Sequence, residues 1–83
     1  EKETGGQSDT EELSDREKEI LISVVKGMSI KEIADHHSIS IHTAITHRRN
    51  ITRKLKVHSI SGLTIYAIIN KLVDISEIKY QDE

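Results

Sequence analysis

The sequence predicts an all-α domain, a four-helix bundle-like fold that contains a helix-turn-helix. Apolar residues recur at intervals of three and four along four stretches of the chain, which is the spacing of one helix face. Two of these stretches open with a serine that is followed three residues later by a glutamate, a pair typical of helix starts. The second and third stretches are separated by only about three residues, and the third is strongly basic. We therefore expect helices over about 15–26, 30–37, 41–55 and 60–72.

Length and composition indicate one small domain with an aliphatic core. The chain has 83 residues, no cysteine, and tyrosine as its only aromatic residue type. Without cysteine, neither a disulfide framework nor a thiolate zinc site can form. No apolar run approaches the roughly 18 residues of a membrane span and no signal peptide is visible, so we expect a cytoplasmic protein with no membrane partner. Because the chain begins with Glu1 and its single methionine is Met28, we expect it to be a piece of a longer protein.

The formal net charge of −2 conceals an uneven distribution along the chain. Residues 1–12 carry a net charge of −4 and residues 74–83 carry −3, so the segment between them carries +5. That segment also holds all five histidines, and no acidic residue occurs between Asp35 and Asp74. The overall pI therefore conceals a basic middle between two acidic ends.

The acidic ends are expected to lie outside the folded domain, which we place at residues 13–73. Residues 1–12 contain no apolar side chain, so too little could be buried to offset the entropy of ordering them, and we expect a disordered linker there. Residues 74–83 form the C-terminal tail.

The first two helices are predicted from their caps and from short apolar stripes. Ser14 with Glu17 forms one capping box, and Ser29 with Glu32 forms the other. Gly27 is expected to end helix 1 in the left-handed conformation that glycine adopts without penalty. The residues expected to face the core are Ile20, Leu21, Val24, Val25, Ile30, Ile33 and Ala34.

The third helix has an apolar side and a cationic side. The residues expected on the core side are Ile39, Ala44, Ile51 and Leu55, with Ser40 as the cap. The residues expected on the opposite side are His42, Ile45, Thr46, Arg49 and Arg53, flanked by Arg48, Lys54 and Lys56. Because an apolar back, a cationic front and an absence of carboxylates suit contact with a polyanion, we interpret this segment as a DNA-recognition helix.

The fourth helix is apolar nearly all round its cylinder, whereas a core covers only one stripe of a surface helix. The excess apolar surface indicates a partner. We expect a homodimer with contacts through Leu63, Tyr66, Ile69, Asn70 and Val73. The alternative is that the tail folds back and covers this surface with Ile75, Ile78 and Tyr80.

Four spaced motifs recur in one known family: LSDREKEIL from Leu13, KGMSIKEIA from Lys26, IS-x-x-T from Ile39 and H-x-x-N-I-x-x-K-L from His47. Together they resemble the LuxR/FixJ/NarL-type helix-turn-helix domain, the C-terminal output module of many bacterial response regulators and quorum-sensing regulators. The resemblance covers about residues 13–73. It implies a four-helix domain whose fourth helix often makes a two-fold dimer contact. It also implies a sensor or receiver domain N-terminal to this chain, with RNA polymerase as a further candidate partner.

The resemblance also implies roles for individual positions. By this resemblance, the residues that support the fold would be Glu17, Leu21 and Gly27. The residues in contact with phosphates would be Lys31, Thr43 and Lys54. The residues facing the base edges would be Ile45, Thr46 and Arg49.

This sequence departs from the family at four positions. The family usually has a basic residue at Ile45, valine at Ala44, leucine at His37 and glycine at Lys56. An isoleucine at position 45 loses a hydrogen-bond donor but could contact a thymine methyl group. His37 is expected to be partly buried and hydrogen-bonded, and a left-handed cap at Lys56 would cost on the order of 1 kcal/mol.

The chemistry of the side chains assigns the expected DNA contacts. The full set is Lys31, Ser40, His42, Thr43, Ile45, Thr46, Arg48, Arg49, Asn50, Arg53 and Lys54. Arg49, in the middle of the face, is expected to make a bidentate contact to guanine. Lys31 and the backbone N–H groups behind Ser40 are expected to hold the DNA backbone. Because neutralised phosphates release counterions, affinity should fall with salt with a slope of roughly −0.9 per contact.

Other functions fit the sequence less well. The five histidines lack the i, i+4 spacing that places two ligands on one helix face, so we expect neither a metal nor a cofactor. Nothing positions a nucleophile beside a base, and no glycine-rich phosphate loop is present, so we expect no enzyme. Two alternatives stay open: a sigma-factor-like promoter-reading domain, and a protein-interaction module that uses the apolar face of helix 4.

Overall fold

The computed structural model describes residues 12–78, and every regular element in that range is helical. The elements are α1 (Asp15–Val25), α2 (Ile30–His37), α3 (Ile41–Leu55), α4 (Ile60–Ile69) and one 3-10 turn, η1 (Ile75–Glu77). The predicted all-α, four-helix class is confirmed. The expected linker, except Glu12, lies outside the described residues, and so does the tail beyond Ile78 with its Tyr80.

The helices begin where the sequence predicted because the serine caps form. The Ser14 hydroxyl accepts from the Glu17 N–H at 3.2 Å, and Glu17 Oε1 accepts from the Ser14 N–H at 2.9 Å. Ser29 and Glu32 repeat this reciprocal pair at 3.1 and 2.8 Å at the start of α2. The Ser59 hydroxyl caps α4 in the same way, without a glutamate partner. These bonds satisfy N–H groups that have no acceptor within the helix.

Within residues 12–78, left-handed residues follow the helix ends, and among them only Gly27, with a φ of 96°, is glycine. The non-glycine residues in this region are Ser38, Lys56 and Lys71, with φ of 57°, 57° and 62°. This conformation costs an ordinary residue about 1 kcal/mol. At Lys56 it lets the next N–H, that of Val57, donate back to the Thr52 carbonyl at 3.3 Å. The left-handed conformation predicted at Gly27 is confirmed, and Lys56 adopts it without being glycine.

Helix α4 ends three residues earlier than the predicted boundary at 72. After Ile69, the Asn70 side-chain amide donates to the Tyr66 carbonyl at 2.9 Å, and Lys71 turns left-handed. The predicted end was wrong because the apolar pattern continues through a turn that no glycine marks. The end of α1 differs by a single residue, at Val25 instead of 26.

An aliphatic core joins the four helices. Helix α3 packs against α1 and α2, and α1 also packs against α4. The buried core consists of Leu13, Ile20, Leu21, Val24, Val25, Ile33, Ala34, Ala44, Ile51, Leu55, Leu63, Ala67 and Val73. Ile30 and Ile39, which were predicted to face the core, are only partly buried at its edge. From the tail, Ile78 packs on this core whereas Ile75 is exposed, and Ile65 and Ile69 of α4 are exposed as well.

Across residues 12–78, none of the helices combines the length and the apolar character that a bilayer crossing requires.

Candidate nucleic-acid interface

Helix α3 separates the core from an open face. Ala44, Ile51 and Leu55 are buried, as predicted. The residues that share the opposite side, which we call the outer face of α3, are Ile41, His42, Ile45, Thr46, Arg48, Arg49, Thr52, Arg53 and Lys56. All of them are exposed except the two threonines, which are half-buried. Because residues 36–73 contain no carboxylate, no acidic side chain of α3 or α4 offsets the charge of this face.

The two arginines at the centre of the outer face are available to a ligand. Neither Arg48 nor Arg49 has an ion-pair partner within residues 12–78. Both side chains are exposed, so binding an anion would not require an internal contact to break. Exposed guanidinium groups are the side chains best suited to bidentate contact with phosphate or guanine.

The start of α3 is suited to an anion. The Ser40 hydroxyl accepts from the Thr43 N–H at 3.0 Å and donates to Thr43 Oγ1 at 2.9 Å. The N–H groups of Ile41 and His42 have no acceptor within the helix, and the first turn contains no acidic residue. The helix dipole adds partial positive charge at this end. A phosphate oxygen would meet both the N–H groups and the dipole here.

The first turn of α2 lies beside the outer face of α3. A shallow cavity of about 250 Å³ is lined by Ile30, Ile45, Arg48, Arg49 and Thr52. Lys31 follows Ile30 and is exposed. A helix-turn-helix uses this arrangement, in which one helix enters the groove and the preceding helix contacts the backbone.

The hydroxyl groups of two threonines donate hydrogen bonds to backbone carbonyls of α3. Thr46 Oγ1 donates to the His42 carbonyl at 3.1 Å, and Thr52 Oγ1 donates to the Arg49 carbonyl at 2.8 Å. In this rotamer each oxygen can only accept a further hydrogen bond. Thr46 would therefore suit an amino group of adenine or cytosine in the major groove.

The predicted DNA-binding residues divide into two groups by exposure. The exposed residues are Lys31, Ser40, His42, Ile45, Arg48, Arg49 and Arg53. The partly buried residues are Thr43, Thr46, Asn50 and Lys54. Their individual contacts with DNA stay predictions, but the structure separates Lys54 from the others.

Lys54 is held by a carboxylate of α1. Its Nζ lies 2.7 Å from Glu17 Oε1, and the two side chains are only 19% and 7% exposed. The same carboxylate oxygen also accepts the capping bond from the Ser14 N–H. One nearly buried carboxylate therefore joins the start of α1 to the end of α3. Lys54 is engaged in this ion pair, and the phosphate contact implied for it stays a prediction.

Glu17 is ionised at neutral pH despite its position. Burial alone would raise the pKa of Glu17, because a carboxylate loses hydration inside the protein. The hydrogen bond from Lys54, the capping bonds from Ser14 and the positive charge of Lys54 outweigh burial and hold the pKa below its ordinary value.

His37, at the end of α2, is half-buried, and its Nε2 lies 2.8 Å from the hydroxyl oxygen of Ser23 on α1. The prediction that this histidine would be partly buried and hydrogen-bonded is confirmed. Burial, with the neighbouring charges of His36 and Arg16, lowers the pKa of His37, so the neutral ring is the favoured form. His37 therefore joins α2 to α1 as a packed side chain.

Helix α4 presents a different apolar surface from the predicted one. Its exposed isoleucines are Ile60, Ile65 and Ile69. Two residues predicted for a dimer contact, Leu63 and Val73, lie in the core of the protomer, where a partner cannot reach them. Tyr66 is half-buried against the core, and Ile69 and Asn70 are exposed. The prediction erred at Leu63 because a helix that is apolar on every side gives no periodicity from which to choose its outward face. It erred at Val73 because α4 ends at Ile69, so Val73 is not on the helix.

The fold and the basic face agree with a comparison to known protein families. Residues 11–67 match the family GerE, described as bacterial regulatory proteins, luxR family. The chain belongs to the luxR family. The predicted resemblance is thereby confirmed, and the luxR-family domain is a helix-turn-helix domain of transcription regulators, a family that is not generally enzymatic.

Individual relatives of this luxR-family domain carry regulator names. It is 43% identical over 61 residues to the transcriptional regulatory protein MctR of Rhizobium johnstonii, a match that covers 74% of this chain and 28% of that protein. It is 43% identical over 63 residues to the response regulator protein VraR of Staphylococcus aureus and of Staphylococcus epidermidis, covering 76% of this chain and 30% of theirs. The chain therefore spans less than a third of the length of these relatives.

Two contacts of the luxR-family domain were missed by reasoning from the sequence. The capping box already accounted for Glu17, so nothing indicated a second partner 37 residues away at Lys54. Ser23 did carry a signal, because a serine within the apolar stripe of α1 is buried and needs a hydrogen-bond partner. That signal did not indicate which helix would supply the partner.

Proposed function

We propose that this domain binds duplex DNA sequence-specifically, with α3 in the major groove, as the output domain of a bacterial transcription regulator. The outer face of α3 supports the proposal, since it is exposed and bears arginines in a segment without carboxylates. The major groove, about 12 Å wide, admits one α-helix. A face that combines Arg48 and Arg49 with shorter polar and apolar side chains can both neutralise phosphates and reach base edges.

Each part of the interface has a separate task. Arg49, at the centre of the outer face, contacts the O6 and N7 atoms of a guanine. Arg48 and Lys56, on either side, neutralise phosphates and supply affinity that does not depend on sequence. Lys31 and the N–H groups behind Ser40 hold the backbone and fix the register of α3 in the groove.

Lys54 acts within the domain in this proposal. Moving its ammonium from Glu17 to a phosphate would leave a nearly buried carboxylate without its partner. Separating such a pair costs several kcal/mol, more than one exposed phosphate contact returns. Lys54 therefore fixes the end of α3 against α1, and the exposed cations contact the DNA.

Dimerisation would use the exposed side of α4. Ile65 and Ile69 are 57% and 70% exposed, and Asn70 extends the same helix end. Pairing two copies through these residues would bury apolar surface that one protomer leaves in water. A two-fold dimer presents two recognition helices to successive turns of the groove, so the operator would be an inverted repeat.

The full-length protein would carry a sensor or receiver domain on the N-terminal side of this one. Support comes from the relatives named as response regulators, of whose length this chain matches 30%. Such a protein would work in the cytoplasm on chromosomal DNA, with RNA polymerase as the machinery it influences.

Fluorescence anisotropy with labelled duplexes tests the proposal, using a site selected from a random duplex pool and an unrelated duplex. Log affinity should fall linearly with log salt, with a slope of roughly −0.9 per neutralised phosphate. Arg49→Ala should reduce the preference for the selected site, whereas Lys31→Ala should weaken both duplexes equally. Lys26→Gln is the matched control, because Lys26 is paired with Glu77 at 3.2 Å and lies outside the interface.

The protein-interaction alternative has an observation in its favour, namely the exposed Ile65 and Ile69. It predicts no binding to any duplex at micromolar protein, or binding that salt does not affect. Either result would overturn the proposal. The match to the luxR family favours the regulator over the sigma-factor-like alternative.

A further inference from the structure

We infer that the first two turns of α3 recognise thymine through its 5-methyl group, by means of an isoleucine pair, Ile41 and Ile45. The inference rests on the proposed function and adds the chemical feature of the DNA that this part of the helix contacts. Ile41 and Ile45 are 49% and 39% exposed. The other large aliphatic residues of the helix, Ile51 and Leu55, are buried. Core packing therefore accounts for the second pair and leaves the first pair without a structural role.

The isoleucine pair forms one apolar patch. Residues four apart on a helix lie one above the other on the same side, so Ile41 and Ile45 are neighbours on the surface. Ile45 also lines the shallow cavity of about 250 Å³ between α2 and α3, together with Ile30 and Thr52. The patch therefore begins at the exposed Ile41 in the first turn of the recognition helix and reaches this shallow cavity through Ile45.

The charges around the patch identify its occupant. The guanidinium-bearing residues Arg48 and Arg49 line the same cavity, and no carboxylate occurs on α3. An apolar patch bordered by arginines suits a polyanion that carries small apolar groups. In the major groove of DNA the only such group on an unmodified base pair is the C5-methyl of thymine. A protein partner would instead have to bring acidic side chains against the two arginines.

Helix geometry gives the spacing of the contacts. Four residues of helix rise about 6 Å. Successive bases on a strand are about 3.4 Å apart. The isoleucine pair therefore spans about two base-pair steps, and Arg49 lies one further helical turn along. The expected half-site has thymine at the steps under Ile41 and Ile45, and guanine about two base pairs beyond the thymine that Ile45 contacts.

Replacing thymine by deoxyuridine tests the inference, because this exchange removes only the methyl group. The probe is the duplex selected from a random pool with the 83-residue chain, resynthesised with deoxyuridine at one thymine at a time. Losing one buried methyl contact should weaken binding about fourfold at one or two positions. Positions outside the contact should show no change.

Two variants connect the methyl effect to the isoleucines. In Ile45→Ala the ratio of thymine to deoxyuridine affinity should fall to about one at the thymine under Ile45. In Ile41→Ala the same should occur at the thymine about two base pairs away. Ile60→Ala is the matched control, because Ile60 is an isoleucine on α4 that is 49% exposed, as Ile41 is, and lies outside the proposed dimer contact. Its ratios should equal those of the unmodified chain, whatever its overall affinity. Circular dichroism confirms that each variant is folded before its ratios are used.

Three results would overturn the inference: a selected site without thymine, a ratio of one at every thymine in the unmodified chain, or ratios that neither isoleucine variant changes. Each of them leaves binding to the selected duplex intact. If no duplex is selected at all, the proposed function fails as well, so the two failures are distinguishable.

Discussion

Removing the charge of Lys54 should destabilise the domain strongly although the residue lies on the helix assigned to DNA. In Lys54→Met the side-chain length is kept while the ammonium 2.7 Å from Glu17 Oε1 is lost. The carboxylate that remains is 7% exposed and keeps the capping bond that Oε1 accepts from the Ser14 N–H. Breaking a fully buried pair in this way costs about 3–5 kcal/mol of folding free energy. Because Lys54 is 19% exposed and therefore partly hydrated, we expect a smaller loss of about 2–3 kcal/mol.

That loss is a large share of the stability of so small a domain. At about 0.05–0.15 kcal/mol per residue, the folded state is favoured by about 4–12 kcal/mol. One kcal/mol moves the melting temperature of a domain of this size by about 4–8 °C, so Lys54→Met should melt about 10–20 °C lower. Thermal unfolding followed by circular dichroism, with urea titration at 25 °C for the free energy, measures both quantities.

The double variant Glu17→Gln, Lys54→Met separates charge from packing. Glutamine can still accept the capping bond from the Ser14 N–H, and no buried charge remains. The double variant should therefore recover most of the lost stability. A melting temperature of Lys54→Met within about 2 °C of the unmodified chain would refute the reasoning, and so would a double variant no more stable than Lys54→Met.

The pH dependence of the same variants provides a further check. Because the folded pKa of Glu17 is below its ordinary value, the stabilisation from the Glu17 carboxylate is present above about pH 4.5 and is lost as the pH falls through the folded pKa. Glu17→Gln should lose stability less steeply in acid. Identical acid profiles would mean that this carboxylate is not held by Lys54.

Three further variants test other contacts of the fold. In Gly62→Ala the added methyl would overlap the side chain of Val57, so we expect the free energy of unfolding to fall by about 1–3 kcal/mol in urea titrations. Adding Val57→Ala should restore part of that loss, and a double variant that restores none would contradict this packing. Lys56→Gly removes a left-handed lysine at a φ of 57° and should raise stability by up to about 1 kcal/mol, while an unchanged urea midpoint would show that the cap carries no strain. Because the pKa of His37 is lowered on folding, the unfolded chain gains its proton first, and stability should decline as the pH falls below about 6.5. The double variant Ser23→Ala, His37→Leu should flatten that decline in melting curves between about pH 5 and pH 7, and a slope that persists would assign the titration to another group.

The parts of the fold that depend on neighbouring residues were predictable from the sequence. The capping boxes at Ser14 and Ser29 are each formed with a glutamate three residues later, and α1 and α2 begin directly after these serines. The inward stripe of α3 was predictable for a similar reason, since its apolar and charged residues alternate with a clear helical period. Local chemistry was sufficient at these positions.

The parts that depend on tertiary packing were not predictable. The predictions of where α4 ends and of which of its residues face outward were both wrong. Ile65 and Leu63 cannot be told apart by sequence in a helix with apolar residues on every side, because only the packing on α1 makes one exposed and the other buried. The ion pair of Lys54 with Glu17 joins two helices that are distant in sequence. Since Lys54 also stands in a run of cations, the sequence favoured a DNA contact over an internal one.

An amide NMR titration of the chain with the selected duplex tests the central claim most directly, because it reports which residues meet the DNA. The largest chemical-shift changes should occur at the amides of Ile45, Thr46 and Arg49, with smaller changes at Lys31 in the first turn of α2. Ile65 on the opposite helix should change little on binding to a single half-site. Changes confined to α4, with the amides of the outer face of α3 unmoved at saturating duplex, would contradict it.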